Sequence, residues 1–380
     1  MSYEIETRCL YGDGISFDKE QTGAISFPIY QTATFAHKGV GRSTGYDYSR
    51  LQNPTREHLE QVVASLEGGK AAFAFSSGMA AITAFFENFE PGDHIIADED
   101  LYGGSIRLFD NISKKNGIKI TRRNLLTEDI EKDITPSTRA IFFETPTNPM
   151  MNVIDIEKYA EIARIHRLLL IVDNTFLSPY FQNPLSLGAD VVIHSGTKFL
   201  AGHNDTLSGF VVTNNDEIAE RMAFILKTVG SGLAPFDSWL VLRGIKTLPL
   251  RMERQQENAL LLAGWLRKNE KVKKVYYPGF EDSPGHEVMK KQARGFGSMI
   301  TFEVDSKETA YSILENVRLI HFAESLGGVE TLITYPVTQT HADVPEEIRL
   351  KNGITDSILR LSVGVENGKD LIAEFERVFA

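Results

Sequence analysis

The chain has 380 residues, 42% apolar and 24% charged, the make-up of an ordinary folded protein and not of a disordered or fibrous one. Lysine and arginine number 40 against 51 aspartates and glutamates, a net charge of −11 that argues against nucleic acid or an anionic membrane as the main partner. Single cores stop growing at roughly 250–300 residues, so two lobes are expected.

Residues 1–50 are rich in Gly, Thr, Ser and aromatics without sustained helical period, which predicts an extended arm with little core of its own that packs on something else, a neighbouring subunit being the expected surface if it crosses over. From Thr55, just past Asn-Pro, the apolar residues Leu59, Val62, Val63 and Leu66 recur at helical spacing until Gly68-Gly69 ends the helix. Helical pattern then alternates with short apolar runs at 71–75, 94–97, 118–122, 140–143, 168–172, 191–194 and 209–212. That βαβ rhythm predicts an α/β fold with a mainly parallel sheet covered by helices on both faces, over residues 51–245. A long helix over 248–268, strands near 298–304 and 358–363 and a last helix from Lys369 place a smaller α/β domain at 246–380. Cys9 is the single cysteine, so an intramolecular disulfide is excluded, and no CxxC or HExxH spacing suggests a metal site. The N-terminus lacks the basic and then apolar segments of a signal peptide, and no run approaches the length of a membrane span, so a cytoplasmic location is expected.

The chemistry gathers just past predicted strand ends, where ligand sites of parallel sheets lie. Lys198 stands in Ile-His-Ser-Gly-Thr-Lys-Phe-Leu (193–200), with the hydroxyls of Ser195 and Thr197 beside it and Gly196 allowing close backbone approach. Upstream, Asp173 closes the apolar run 168–172; such an acid either caps the following helix or pairs with a buried cation. An amine able to form a Schiff base and a carboxylate able to hold a protonated pyridine nitrogen are what pyridoxal 5'-phosphate asks of a protein. The run Phe-Ser-Ser-Gly-Met-Ala-Ala (75–81) leads from strand to helix, an arrangement that binds phosphate through free N–H groups, although many such turns do not. Tyr102 in Leu-Tyr-Gly-Gly (101–104) is placed either to stack on a cofactor ring or to pack in the core. In the arm, Tyr46-Asp47-Tyr48-Ser49-Arg50 joins tyrosine to arginine; these serve as a phosphate clamp for the neighbouring subunit or as a solvated loop. Arg360, flanked by leucines in 358–363, must be paired or face a cleft, and a substrate carboxylate would satisfy it.

Together these segments, with Glu-Thr-Pro-Thr-Asn-Pro (144–149) and Ala-Glu-Ser-Leu-Gly-Gly (323–328), resemble the Cys/Met-metabolism family of pyridoxal-phosphate enzymes over essentially the whole chain. This is the γ-subfamily of the aspartate-aminotransferase-like fold (fold type I), which includes cystathionine γ-synthases, O-acylhomoserine sulfhydrylases, and cystathionine and methionine lyases. The resemblance implies Lys198 as the Schiff-base lysine, Asp173 as the partner of the pyridine nitrogen, and Tyr102 as the ring-stacking residue and proton relay. It implies phosphate binding by Gly78, Met79, Ser195 and Thr197, with Tyr48 and Arg50 reaching in from the partner subunit. Asn148, Arg360 and Ser325 would receive the substrate carboxylate, and Glu324 and Asp47 would lie on the substrate side. Glu324, Asp47 and the stretches 202–205, 235–240 and 334–341 resemble bacterial γ-synthases that also act as O-acetylhomoserine sulfhydrylases, although some lyases share Glu324-like and Asp47-like residues. The expected activity is γ-replacement on an O-acylhomoserine by a thiol, giving cystathionine from cysteine or homocysteine from sulfide. The alternative is a cystathionine or methionine lyase releasing thiol, ammonia and a keto acid. The family also implies small amino-acid substrates and a homotetramer built as a pair of dimers.

Overall fold

The computed structural model describes residues 3–14 and 23–380. Its first sheet holds β1 (Ala71–Phe75), β2 (His94–Asp98), β3 (Lys119–Arg123), β4 (Thr138–Glu144), β5 (Leu169–Asp173), β6 (Val191–His194) and β7 (Gly209–Thr213) in the order β1-β7-β6-β5-β4-β2-β3. The five strands from β6 to β3 are parallel, while β7 runs against both of its neighbours. These strands are apolar runs because both faces are covered. Phe142 meets Phe109 edge-on at 5.5 Å on one face, and the next residue, Phe143, meets Tyr159 at 5.5 Å on the other.

Helix Pro54–Glu67 starts where the Asn53 side chain accepts the N–H of Thr55, and ends at Gly68, whose φ of 71° suits a residue without Cβ. Its last residue, Glu67, turns inward beneath the sheet's carboxyl edge. There one carboxylate oxygen takes the Nδ2–H of Asn174 at 2.8 Å and lies 2.5 Å from His194 Nε2, with both side chains of the acid–imidazole pair shut off from solvent. Asn174 and His194 each adjoin a residue of the predicted site, so this buried network braces the ends of β5 and β6. Glu67→Ala would strand the imidazole and the amide in apolar surroundings and is expected to cost about 3 kcal/mol of folding stability. Denaturant unfolding at neutral pH checks this; a loss under about 1 kcal/mol would show that the network contributes little.

The second sheet comprises β8 (Val272–Tyr276), β9 (Met299–Val304), β10 (His321–Phe322), β11 (Leu332–Thr334) and β12 (Ile358–Ser362), ordered β10-β11-β12-β9-β8. Helices Leu248–Leu266, Lys307–Asn316 and Gly368–Phe379 pack on one of its faces with Leu359 and Leu361, which are fully buried. Strand alternation therefore turns Arg360 the other way, toward the first sheet.

The arm differs from its expected extended form at the front. Ile5–Tyr11 is a helix whose Ile5 and Cys9, one turn apart, are buried in a core shared with Leu59, Val62 and Met252. With its apolar stripe only two residues long, the sequence shows no periodicity there. The part of the arm at 15–22 lies outside the described residues. No helix among the described residues is long and apolar enough to cross a membrane.

Candidate active site

Every parallel strand end delivers a polar residue to one edge of the first sheet, and β12 closes over that edge to leave a cavity of about 360 Å³. Gly78, Met79, Tyr102, Asn148, Asp173, Ser195, Thr197, Lys198, Glu324, Ser325 and Arg360 all line it, so residues spread over most of the chain come together there.

At one end lies the start of helix Gly78–Phe86. Ser77 caps it by accepting the N–H of Ala80, and the first-turn N–H groups of Gly78 and Met79 have no carbonyl within the helix to receive them. Close approach makes the glycines here necessary: a Cβ on Gly78 would come within 2.8 Å of the Ser195 side chain, and one on Gly196 within 2.3 Å of Phe210. The hydroxyls of Ser195 and Thr197 border the same space. Free N–H groups, a helix N-terminus and two hydroxyls form a cradle that fits a phosphate.

Asp173 lies on the cavity floor. Its Oδ1 accepts the Thr175 N–H at 2.9 Å, and Thr175 Oγ1 in turn accepts the Ser195 N–H at 2.8 Å, tying β5 to the cradle. Desolvation raises the Asp173 carboxyl above its ordinary range, against the pull of the Thr175 hydrogen bonds and of His194. No cation is ion-paired to it among the described residues, which suits a protonated ring nitrogen.

Lys198 donates from Nζ to Ser325 Oγ at 2.9 Å. Burial, reinforced by the positive charge of Arg360, lowers its ammonium to about 8, so a minority but appreciable share of the amine is neutral near physiological pH. Ser325 has a φ of 111°, strained for a residue with a side chain, and this lets it turn its hydroxyl toward Lys198 and its carbonyl toward Arg360. Arg360, 1% exposed, donates to Asn148 Oδ1 at 2.8 Å, to Ser325 O at 2.9 Å and to Thr334 Oγ1 at 3.2 Å, while its buried Nε has no partner. A fixed guanidinium with a donor to spare is suited to a carboxylate. Tyr102 stands at the mouth, 36% exposed, its hydroxyl pushed above the ordinary range by partial burial and then by Glu324. A groove of about 1020 Å³ adjoins the cavity and shares Thr197, Leu207, Glu324 and Ser325 with it.

Three predicted residues are absent from this cavity within the chain. Tyr48 and Arg50 are exposed on the arm, with Arg50 donating to the Lys227 carbonyl and lying 5.6 Å from the Tyr48 ring. Asp47 instead meets His37 Nε2 at 2.7 Å. Conversely, Thr175, Glu144, Thr334 and Thr340 belong to the site or its support but were not singled out in the sequence. Thr175 stands two residues past Asp173, and Glu144, Thr334 and Thr340 lie in the stretches 144–149 and 334–341 that carry the resemblance, so each had a signal in its neighbours though none in itself.

Two curated relatives are each 48% identical to the chain: the cystathionine beta-lyase of Lactococcus lactis subsp. cremoris (strain MG1363), over 98% of both chains, and the cystathionine gamma-synthase/O-acetylhomoserine (thiol)-lyase of Bacillus subtilis (strain 168), over 98% of this chain and 95% of the relative. The crystal structure of cystathionine gamma-lyase from Lactobacillus plantarum complexed with L-serine superposes with a TM-score of 0.95 at 46% identity, over 99% of this chain and 98% of that one. The family model for Cys/Met metabolism PLP-dependent enzymes matches residues 10–380, and with a cavity that fits the coenzyme at each end, the chain belongs to that pyridoxal-phosphate-dependent family of fold type I.

Proposed function

We propose that the protein catalyses γ-replacement on an O-acylhomoserine by a thiol, giving cystathionine from cysteine or homocysteine from sulfide. The observation that carries this reading is the groove meeting the cavity at Glu324 and Ser325, beside Lys198, which gives a second reactant its own way in. Pyridoxal phosphate, when bound, supplies an aldehyde for the substrate's amine and a ring that takes up electrons released at Cα. The phosphate cradle of Gly78, Met79, Ser195 and Thr197 fixes the coenzyme's position, and Asp173 holds the proton on its ring nitrogen. Arg360 and Asn148 orient the substrate carboxylate, which brings the Cα–H within reach of Lys198 Nζ. Lys198 removes that proton and then one from Cβ, with Ser325 Oγ as its resting partner. The acyloxy group leaves Cγ as a carboxylate, the thiol gives up its proton and adds at the same carbon, and Lys198 returns protons to Cβ and Cα as the product forms.

A second reading, elimination from cystathionine with release of thiol, ammonia and a keto acid, is favoured by one observation: a lyase relative matches this chain at the same 48% identity as the γ-synthase. The coenzyme-facing residues serve either reaction. Purified protein loaded with coenzyme and given O-acetyl- or O-succinyl-homoserine with cysteine or sulfide, beside cystathionine alone, separates them. Cystathionine or homocysteine formation supports replacement; keto acid released from cystathionine at a higher rate selects the lyase.

We further propose that the working form is a homotetramer, a pair of dimers, in which Tyr48 and Arg50 complete the phosphate site of the neighbouring subunit. Arg50→Ala would remove a charge-assisted hydrogen bond and is expected to weaken coenzyme retention by about tenfold or more. Dialysis followed by coenzyme absorbance measures this, and unchanged retention would reject the shared site.

A further inference from the structure

Glu144 closes β4 in register with Asp173 at the end of β5, so two acids stand side by side on parallel strands about 4.8 Å apart. Both line the cavity, and Glu144 is 9% exposed. Its one hydrogen bond is from a neutral donor, the Asn148 N–H at 3.1 Å to Oε1. No lysine, arginine or histidine forms an ion pair with it among the described residues. Two more acids lie close by, Asp98 at the end of β2, whose carboxyl burial pushes up to about 8, and Asp100 just beyond it, whose Oδ1 is buried without a partner among the described residues. Of the cations facing the cavity, Lys198 is engaged by Ser325, and both terminal nitrogens of Arg360 are engaged by Asn148, Ser325 and Thr334.

We propose that Glu144 is a neutral carboxylic acid in the working protein, a positioning residue that leaves Asp173 as the single negative charge beneath the ring nitrogen and keeps Arg360 available to the substrate carboxylate. Two ionised carboxyls on adjacent buried strand ends repel, and the one without a cationic partner keeps its proton. Asp173 is the member that meets the protonated ring, so Glu144 holds the proton. Desolvation, followed by the charges of Asp173, Asp100 and Asp98, supports this by pushing Glu144 well above the usual carboxylate range. The sign of the pH effect follows. As pH rises through the ionisation of Glu144, a second negative charge enters the cavity and opposes the incoming carboxylate, so KM rises on the alkaline side. The charged and titratable groups facing Glu144 are Asp98, Asp100, Asp173, Tyr102, Lys198 and Arg360.

The inference rests on the coenzyme and on neither of the two reactions proposed above, so the measurements that decide it, infrared spectra and coenzyme affinity, use the protein without substrate. Infrared difference spectra of protein carrying isotope-labelled glutamate report the carbonyl band of any protonated glutamate. Glu60, a partly buried acid held at about 7, would contribute such a band, and E60Q removes it. The expected result is a label-sensitive protonated band at neutral pH that survives in E60Q and disappears in E60Q/E144Q. E144Q, a neutral isostere, should also retain coenzyme affinity to within about threefold and lose the alkaline rise in KM. A labelled E60Q holoprotein with no protonated band overturns the proposal, even if E144Q does not fold. So does a folded E144Q that loses coenzyme affinity by about tenfold or more, because the site would then need a charged carboxylate.

Discussion

Lys198→Ala is expected to lower kcat by roughly ten-thousand-fold or more while the protein remains folded and still binds the coenzyme noncovalently. The substitution removes two functions at once. In the proposed mechanism the amine is both the covalent anchor of the coenzyme and the base that takes the Cα proton, and a positioned base alone contributes about a hundredfold to ten-thousand-fold. Folding should survive because the Nζ makes a single hydrogen bond among the described residues, to Ser325 Oγ. The measurement is steady-state turnover beside the coenzyme's absorbance, which should move to that of the free aldehyde. A small primary amine in the buffer should recover part of the rate. The same side chain predicts a pH dependence in the wild type. The neutral amine is the nucleophile, and burial beside Arg360 brings its ammonium down to about 8, so coenzyme capture by the apoprotein should accelerate as pH rises through about 8 and level off above it. Turnover by Lys198→Ala at the wild-type rate would remove Lys198 from the mechanism.

The elements that position Lys198 were legible in the sequence for a physical reason. Central strands buried on both faces are short apolar runs bounded by turns, and β1, β2, β5 and β6 all read that way. The direction of β7 was hidden, because its register depends on pairing with β1 and β6 rather than on its own composition. Edge strand β8, with exposed lysines between half-buried residues, carries too little apolar signal to be seen in the sequence. In the site, residues with an unusual side chain for their place were readable, such as Asp173 ending an apolar run and Arg360 between leucines. Residues that act through distant partners were not. Glu67 and His194 lie 127 positions apart, and nothing local to either announces the pair. The charge state of Glu144 is equally invisible in sequence, since it arises from the register that places it beside Asp173. Ser325 was expected from family resemblance, but the positive φ that lets it serve Lys198 and Arg360 together is a property of the folded backbone. Tyr48, Asp47 and Arg50 mark a different limit, since their expected roles depend on a second copy of the chain.

Arg360→Ala is expected to raise KM for amino-acid substrates by about a hundredfold or more, equivalent to about 3 kcal/mol, with a smaller effect on kcat. The guanidinium is held in place before any substrate arrives, by Asn148 Oδ1, Ser325 O and Thr334 Oγ1, so little ordering remains to oppose carboxylate binding. Burial lowers its ionisation only to about 10, so it stays charged through the working range, and in so enclosed a place its field is weakly screened. Part of any loss will be structural, because truncation leaves those three acceptors without their donor. Two comparisons separate the contributions. Arg360→Lys keeps the charge but loses the planar fork and should recover only part of the affinity. A substrate analogue lacking the α-carboxylate should bind the wild type and Arg360→Ala with similar, weak affinity, because the interaction that distinguishes the two proteins is missing from the ligand. If the analogue suffers as much as the full substrate, Arg360 supports the Asn148–Ser325 wall and does not contact the carboxylate. If only the full substrate suffers, the buried arginine of β12 is the group that selects amino acids for this site.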